Sequence, residues 1–105
     1  MRFDSTSRRI GPNAKFAGRT IPMIRITVTD RDAVRPADVG AHMLRAIYAR
    51  HAREWRWREA GIERLSGSTA LRRAVEGGDV AALLRRWESE SIRFRRQITP
   101  YRLYP

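Results

Sequence analysis

The carboxylates of Asp30 and Asp32 are the first candidates in this sequence for acid–base chemistry. Side chains two apart on an extended chain share a face and lie about 6.5 Å from one another. Hydrolysis by a pair of carboxyl groups uses separations of about 5 to 9.5 Å. Neighbouring arginines, however, would stabilise the charged carboxylates, whereas a general acid must hold its proton. We therefore favour a second interpretation, in which both aspartates order a turn by accepting backbone N–H groups.

Arg31 and Arg35 flank this acidic pair where a strand is expected to give way to a helix. A guanidinium there can hold the carboxylate of a ligand in a bidentate pair, or it can form a salt bridge with Asp30, with Asp32 or with a further domain. Lys15 is the only lysine in the chain. Either selection for an ammonium donor or chance can explain why a lysine occurs at this position. These alternatives stay open.

The formal net charge of +11 favours anionic partners such as nucleic acid, anionic lipid or an acidic glycan. Of the 22 basic residues, all but Lys15 are arginine, a ratio that a genome-wide codon bias also produces. The net charge alone therefore does not show which of these partners the protein binds.

Several classes of site and segment find no support in the sequence. The absence of cysteine excludes disulfides, a thiol nucleophile and thiolate metal ligands. His42 and His51 cannot build a zinc site by themselves. No run approaches the roughly 18 apolar residues of a membrane span, and the first residues lack the apolar core of a signal peptide. We expect no cofactor and no metal, and the localisation is not readable.

The pattern of apolar residues predicts an α+β fold in one small domain, residues 1–105, with a short sheet against about three helices. Residues 1–22 are expected to be extended and rich in loops, and Met23–Thr29 alternates as a strand does. Helices are expected over about 36–51, after Ser68, and from Asp79 to Pro100. The predicted core consists of Ile24, Ile26, Val28, Val39, Met43, Ile47, Leu71, Val75, Leu83, Leu84, Trp87 and Phe94.

Aromatic residues mark two further segments. Glu54–Arg58 interleaves Trp55 and Trp57 with charge and is expected to form a short edge strand. These rings could either stack on a sugar ring or pack at the edge of the core. We favour a core position for Trp57 and solvent-facing packing for Trp55. Tyr101 and Tyr104 follow Pro100, where they form either a cleft wall or a hydrophobic plug.

A series of short motifs runs through nearly all 105 residues in a fixed order. They are Lys15–Gly18, Ile24–Asp32, Arg35-Pro36 with Gly40, Trp55–Trp57, Arg64–Ser68, Leu71-Arg72 with Val75 and Gly77, then Trp87, Phe94, Tyr101 and Leu103–Pro105. The ordered set resembles the C-terminal domain of the exo-β-N-acetylmuramidases, glycoside hydrolases of peptidoglycan recycling. No single motif is specific, but their order is.

This resemblance implies that a separate Rossmann-like domain or subunit supplies the catalytic glutamates and that the present residues close over its substrate cleft. No catalytic residue is then expected in this chain, and activity by the chain alone is not expected. The implied ligand is an anionic muramyl sugar or a peptidoglycan fragment, and relatives are often exported to the cell envelope. The expected substrate-binding residues are Lys15, Asp30, Arg31, Arg35, Tyr101 and Tyr104.

The alternative function is that of a small basic nucleic-acid-binding protein. Arg85, Arg86, Arg93, Arg95 and Arg96 place several cations on the last predicted helix, which also carries an apolar stripe. Glutamates interrupt this charge, and neither a helix-turn-helix spacing nor an aromatic ribonucleoprotein motif is present. We rank this alternative second.

Overall fold

The computed structural model describes residues 1–105, which form two compact units, residues 1–35 and residues 36–105. The first unit contains a two-stranded antiparallel sheet, and the second contains four α-helices. The predicted α+β class is confirmed, with one helix more than expected.

The sheet of the first unit is a hairpin of β1, Arg2–Arg9, and β2, Thr20–Thr27. Phe3 lies opposite Ile26 across the two strands. Residues 1–22 were expected to be extended and rich in loops; β1 confirms the extended conformation, but the loops expected there are absent from Arg2–Arg9. The predicted strand Met23–Thr29 begins three residues earlier and ends two earlier. β1 carries one large apolar side chain, so its extended form depends on pairing with β2.

The hairpin does not bury the apolar side chains that were predicted to join the core. Ile24 is 66% exposed, Ile26 42% and Val28 46%. A two-stranded ribbon cannot enclose a face by itself, which is why isolated hairpins are marginally stable in water. The predicted core is wrong at these three positions.

The second unit consists of α1, Pro36–His51, α2, Glu59–Ser66, α3, Ala70–Gly77, and α4, Val80–Ile98. A single 3₁₀ turn, Thr99–Tyr101, follows α4. The helix predicted over 36–51 is confirmed, as are the helix after Ser68 and the helix that begins after Asp79. Helix α2 was not predicted.

Local hydrogen bonds explain where α3 and α4 begin and end. The Ser68 hydroxyl accepts the Ala70 N–H at the start of α3, and Gly78 ends that helix in the left-handed conformation. Asp79 Oδ1 then accepts the Ala82 N–H at 3.2 Å and caps α4. Asp79 therefore caps its helix as its residue type predicts. The N-cap of α3 is Thr69, which makes no side-chain cap bond, so Ser68 acts one residue before the position that was predicted for it.

The core of the helical unit surrounds Val75, whose side chain is fully buried. Predicted core residues Val39, Met43, Leu84 and Trp87 are half-buried. Besides Val75, the buried residues are Leu71 and Leu83, which were predicted, and Ala41 and Val80, which were not.

Two residues of the helical unit that were predicted to lie in its core are exposed. Ile47 is 44% and Phe94 60% exposed, so the prediction is wrong for both. Trp87 is the last side chain of α4 that packs on the core, and Phe94 lies two turns beyond it.

The segment Glu54–Arg58 is a loop between α1 and α2, so the predicted edge strand is wrong. Its two tryptophans pack with Tyr48 of α1: the ring centroids of Trp55 and Trp57 are 5.1 Å apart, and that of Tyr48 lies 6.1 and 6.5 Å from them. Trp57 contacts the core as expected. Trp55 is half-buried rather than solvent-facing, because it packs edge-on against both other rings.

Candidate functional site at the end of the hairpin

Asp30 builds the turn that follows β2. Its Oδ1 accepts the backbone N–H groups of Asp32 at 3.0 Å and of Ala33 at 3.2 Å, and its carbonyl oxygen accepts the N–H of Val34 at 3.2 Å. A short carboxylate that bonds to the backbone two residues onward is a common way to fix such a turn. The turn-building interpretation is confirmed for Asp30.

The chain at Asp30 and Asp32 forms this turn and is not extended, so the assumption behind the carboxylate pair is wrong. One oxygen of Asp30 is committed to backbone donors, and the side chains of both aspartates are solvent-exposed. Neither lies in the apolar environment that keeps a general acid protonated at neutral pH. This geometry does not favour a catalytic pair here.

Arg31 and Arg35 lie in and just after the turn, and both are exposed. The hydrogen bonds of Asp30 fix the backbone from which Arg31 projects. The first unit carries Asp30, Arg31 and Arg35 within six residues, which we call the corner. Its guanidinium groups offer the planar, forked donors that suit a carboxylate.

Lys15 lies in the loop between the two strands, at the other end of the hairpin from the corner. Its ammonium is 5.1 Å from the centre of the Phe16 ring, and the guanidinium of Arg19 lies 5.9 Å from the same ring. The eight residues of β2 separate this loop from Asp30 by about 24 Å, at about 3.4 Å per step. Lys15 therefore does not share a small-molecule site with the corner.

Tyr101 and Tyr104 belong to the helical unit, in the 3₁₀ turn and the tail beyond it. Their exposed fractions are 84% and 80%. Neither ring forms a hydrophobic plug, so the phenol groups are open to a ligand or partner.

The ion-pair cluster around Arg72 was not found from the sequence. The Arg72 guanidinium donates to Glu63 at 3.0 Å and lies 4.0 Å from Glu59 and 3.9 Å from Glu76. The hydrogen bond to Glu63 raises the pKa of Arg72, opposed by desolvation and assisted by all three carboxylates. Arg72 and Glu76 are four apart on α3, a spacing visible in the sequence, but the approach of α2 is a tertiary contact. The cluster joins α2 to α3.

The structure contains neither a cluster of metal ligands nor a helix that could span a membrane. No group of three or more histidine or acidic side chains is arranged to hold a metal ion. None of the helices combines the length and hydrophobicity needed to cross a membrane.

Comparisons with known proteins give one family. The model of the exo-β-N-acetylmuramidase NamZ C-terminal domain matches residues 1–104. No curated protein and no solved structure matches the chain. Because the family match covers almost every residue of both units, the chain belongs to the family of exo-β-N-acetylmuramidase NamZ C-terminal domains.

Proposed function

We propose that this chain is the accessory part of an exo-β-N-acetylmuramidase, which removes N-acetylmuramic acid from peptidoglycan fragments. A Rossmann-like catalytic domain or subunit supplies the catalytic carboxylates, and the present chain closes over the substrate cleft. The observation that carries this proposal is the family match over residues 1–104. The solvent-exposed, turn-building carboxylate of Asp30 supports the view that the chain alone does not hydrolyse glycosides.

The corner is the substrate-binding element in this proposal. Muramic acid differs from glucosamine by a lactyl ether that ends in a carboxylate. Arg31 and Arg35 pair with that carboxylate, and Asp30 holds the backbone from which Arg31 projects. Forked hydrogen bonds from a guanidinium combine charge with a fixed orientation and so select a carboxylate over a neutral group. The corner therefore contributes specificity rather than bond cleavage.

Lys15, Tyr101 and Tyr104 have separate roles in this proposal. The 24 Å or so that separates Lys15 from the corner suits a contact with the catalytic domain better than one with the same sugar. The exposed phenol rings of Tyr101 and Tyr104 suit a wall against which a sugar packs.

The test reconstitutes the chain with the separately purified catalytic domain of a family member. Two chromogenic substrates are compared, a muramyl glycoside and the same glycoside with its lactyl carboxylate converted to an amide. Arg31→Gln is expected to raise KM about tenfold for the carboxylate substrate, since a charged hydrogen bond contributes about 1.5 kcal/mol. The same substitution is expected to leave KM for the amide substrate unchanged. Arg50→Gln removes the same charge from an exposed position at the end of α1 and serves as the control.

Equal losses on the two substrates would show that Arg31 does not recognise the carboxylate. Equal effects of Arg31→Gln and Arg50→Gln would show that only the net charge matters. Steady release of N-acetylmuramic acid by the purified chain without a catalytic domain, abolished by Asp30→Asn, would contradict the accessory role itself.

A further inference from the structure

Helix α4 has a cationic face that its role in the fold does not require. Its inward stripe consists of Val80, Leu83, Leu84 and Trp87, which are buried or half-buried against the core. At 100° per residue, the opposite side carries Arg85, Ser89, Arg93 and Arg96. All four are exposed. We call these three arginines, with Ser89 between them, the arginine row.

The acidic residues of α4 leave two arginines of the row, Arg93 and Arg96, without an ion-pair partner. Glu88 and Glu90 project about 100° to either side of it around the helix. The carboxylate of Glu90 is taken by Arg86, whose Nε donates to it at 2.8 Å. Arg93 and Arg96 make no ion pair or hydrogen bond through their side chains. Their charges are therefore available to a partner.

The spacing of the row suits a polymer with closely spaced negative charges. Along the axis, Arg85 and Arg93 are about 12 Å apart and Arg93 and Arg96 about 4.5 Å apart. The total, about 16.5 Å, corresponds to roughly five base pairs of duplex DNA at about 3.4 Å each. Because the row faces away from the core of its unit, α1 and α3 do not obstruct a long partner.

We propose that the arginine row binds the phosphate backbone of a nucleic acid without sequence preference. Guanidinium groups match phosphate oxygens in bidentate pairs. One exposed apolar side chain, Ile92, borders the row at about 20° from Arg85 around the helix. A single isoleucine is too little to insert into a lipid layer or to form the apolar centre of a protein interface. This activity is independent of the corner and of the proposed muramidase role, because it depends on a different element.

The test measures the affinity for a duplex oligonucleotide of about 20 base pairs as a function of salt. Three phosphate contacts give a slope of about −2.7 in log K against log salt, so affinity falls about 40-fold between 50 and 200 mM. We expect a Kd of 10⁻⁶ to 10⁻⁴ M near 150 mM, the range of non-specific binding. The triple variant Arg85→Gln, Arg93→Gln, Arg96→Gln is expected to lose about 2.7 from the magnitude of the slope.

The matched control is Arg8→Gln, Arg9→Gln, Arg19→Gln, which removes three exposed arginines from the hairpin unit. It has the same net charge as the row variant and is expected to retain most of the slope. Far-UV circular dichroism checks that both variants stay helical; glutamine is nearly as good a helix former as arginine.

Equal loss of slope in the two triple variants would overturn the proposal, because binding would then follow net charge alone. Poly-glutamate or phosphatidylglycerol vesicles that bind as tightly as the duplex would also overturn it. So would the absence of duplex binding at 150 mM salt.

Discussion

Replacement of Gly78 by alanine tests how the end of α3 is held. Gly78 has φ of +83°, and a Cβ built there would lie 3.1 Å from Nη2 of Arg45. An unattached arginine would move aside at little cost. This guanidinium, however, donates from Nη1 to the carbonyl oxygen of Val75 at 2.8 Å. Relief of the clash therefore disturbs a hydrogen bond that satisfies the end of the helix.

Gly67 provides a matched control, because it ends α2 with φ of +79° and a Cβ there would meet nothing within 4 Å. Each substitution carries the cost of a left-handed alanine, about 1 kcal/mol. Gly78→Ala also weakens the hydrogen bond from Arg45 to Val75. Because that bond is partly exposed, its loss adds about 1 kcal/mol to the cost. We expect Gly78→Ala to lower the free energy of unfolding by about 2 kcal/mol and Gly67→Ala by about 1 kcal/mol.

Urea unfolding followed by tryptophan fluorescence measures both values, since all three tryptophans lie in the helical unit. A double-mutant cycle with Arg45→Met isolates the contact. In the Arg45→Met background, Gly78→Ala should cost no more than Gly67→Ala does. Equal costs of the two glycine substitutions in the wild-type background would refute the reasoning and show that the Arg45 guanidinium moves freely.

Three further substitutions test the core, a helix cap and the corner. Val75→Ala removes two methyl groups from a fully buried side chain and should lower the free energy of unfolding by about 2 to 3 kcal/mol in the same assay. Asp79→Ala removes the acceptor of the Ala82 N–H and should cost about 1 kcal/mol, while Asp79→Asn should retain most of the stability. Asp30→Ala should increase hydrogen exchange at the Ala33 amide without changing the urea midpoint of the helical unit; an unchanged amide would contradict its role in the turn.

The helices that begin with strong local signals are those that the sequence predicted. Pro36 and Asp38 mark the start of α1, and Asp79 marks the start of α4. Helix α2 lacks such a signal: its first residue, Glu59, follows Arg58, which makes no side-chain cap bond. It is held instead by contacts from Arg72 of α3, which are tertiary and invisible to periodicity.

The errors in the strand and core predictions share a physical cause. β1 has too few apolar residues to show alternation and is extended because β2 pairs with it. Trp55 and Trp57 alternate with charged residues as in a strand, but they lie in a loop and form an aromatic cluster with Tyr48. Phe94 keeps the helical spacing of α4 but lies beyond the last core contact. Each outcome depends on a distant partner that a local pattern does not specify.

The candidate site was predicted in part. The turn-building role of Asp30 follows from its residue type and its place after a strand, and the structure confirms it. The separation of Lys15 from the corner was not predicted, because it requires the full length of β2 and its pairing with β1.

The most direct test of the accessory role is turnover of a muramyl glycoside in three mixtures: the chain alone, a family catalytic domain alone, and both together. Bovine serum albumin at equal concentration replaces the chain as a control for non-specific stabilisation. We expect no release of N-acetylmuramic acid from the chain alone, little from the catalytic domain alone, and saturable restoration when the two are combined. Full activity of the catalytic domain alone, unchanged by any concentration of this chain, would contradict the account.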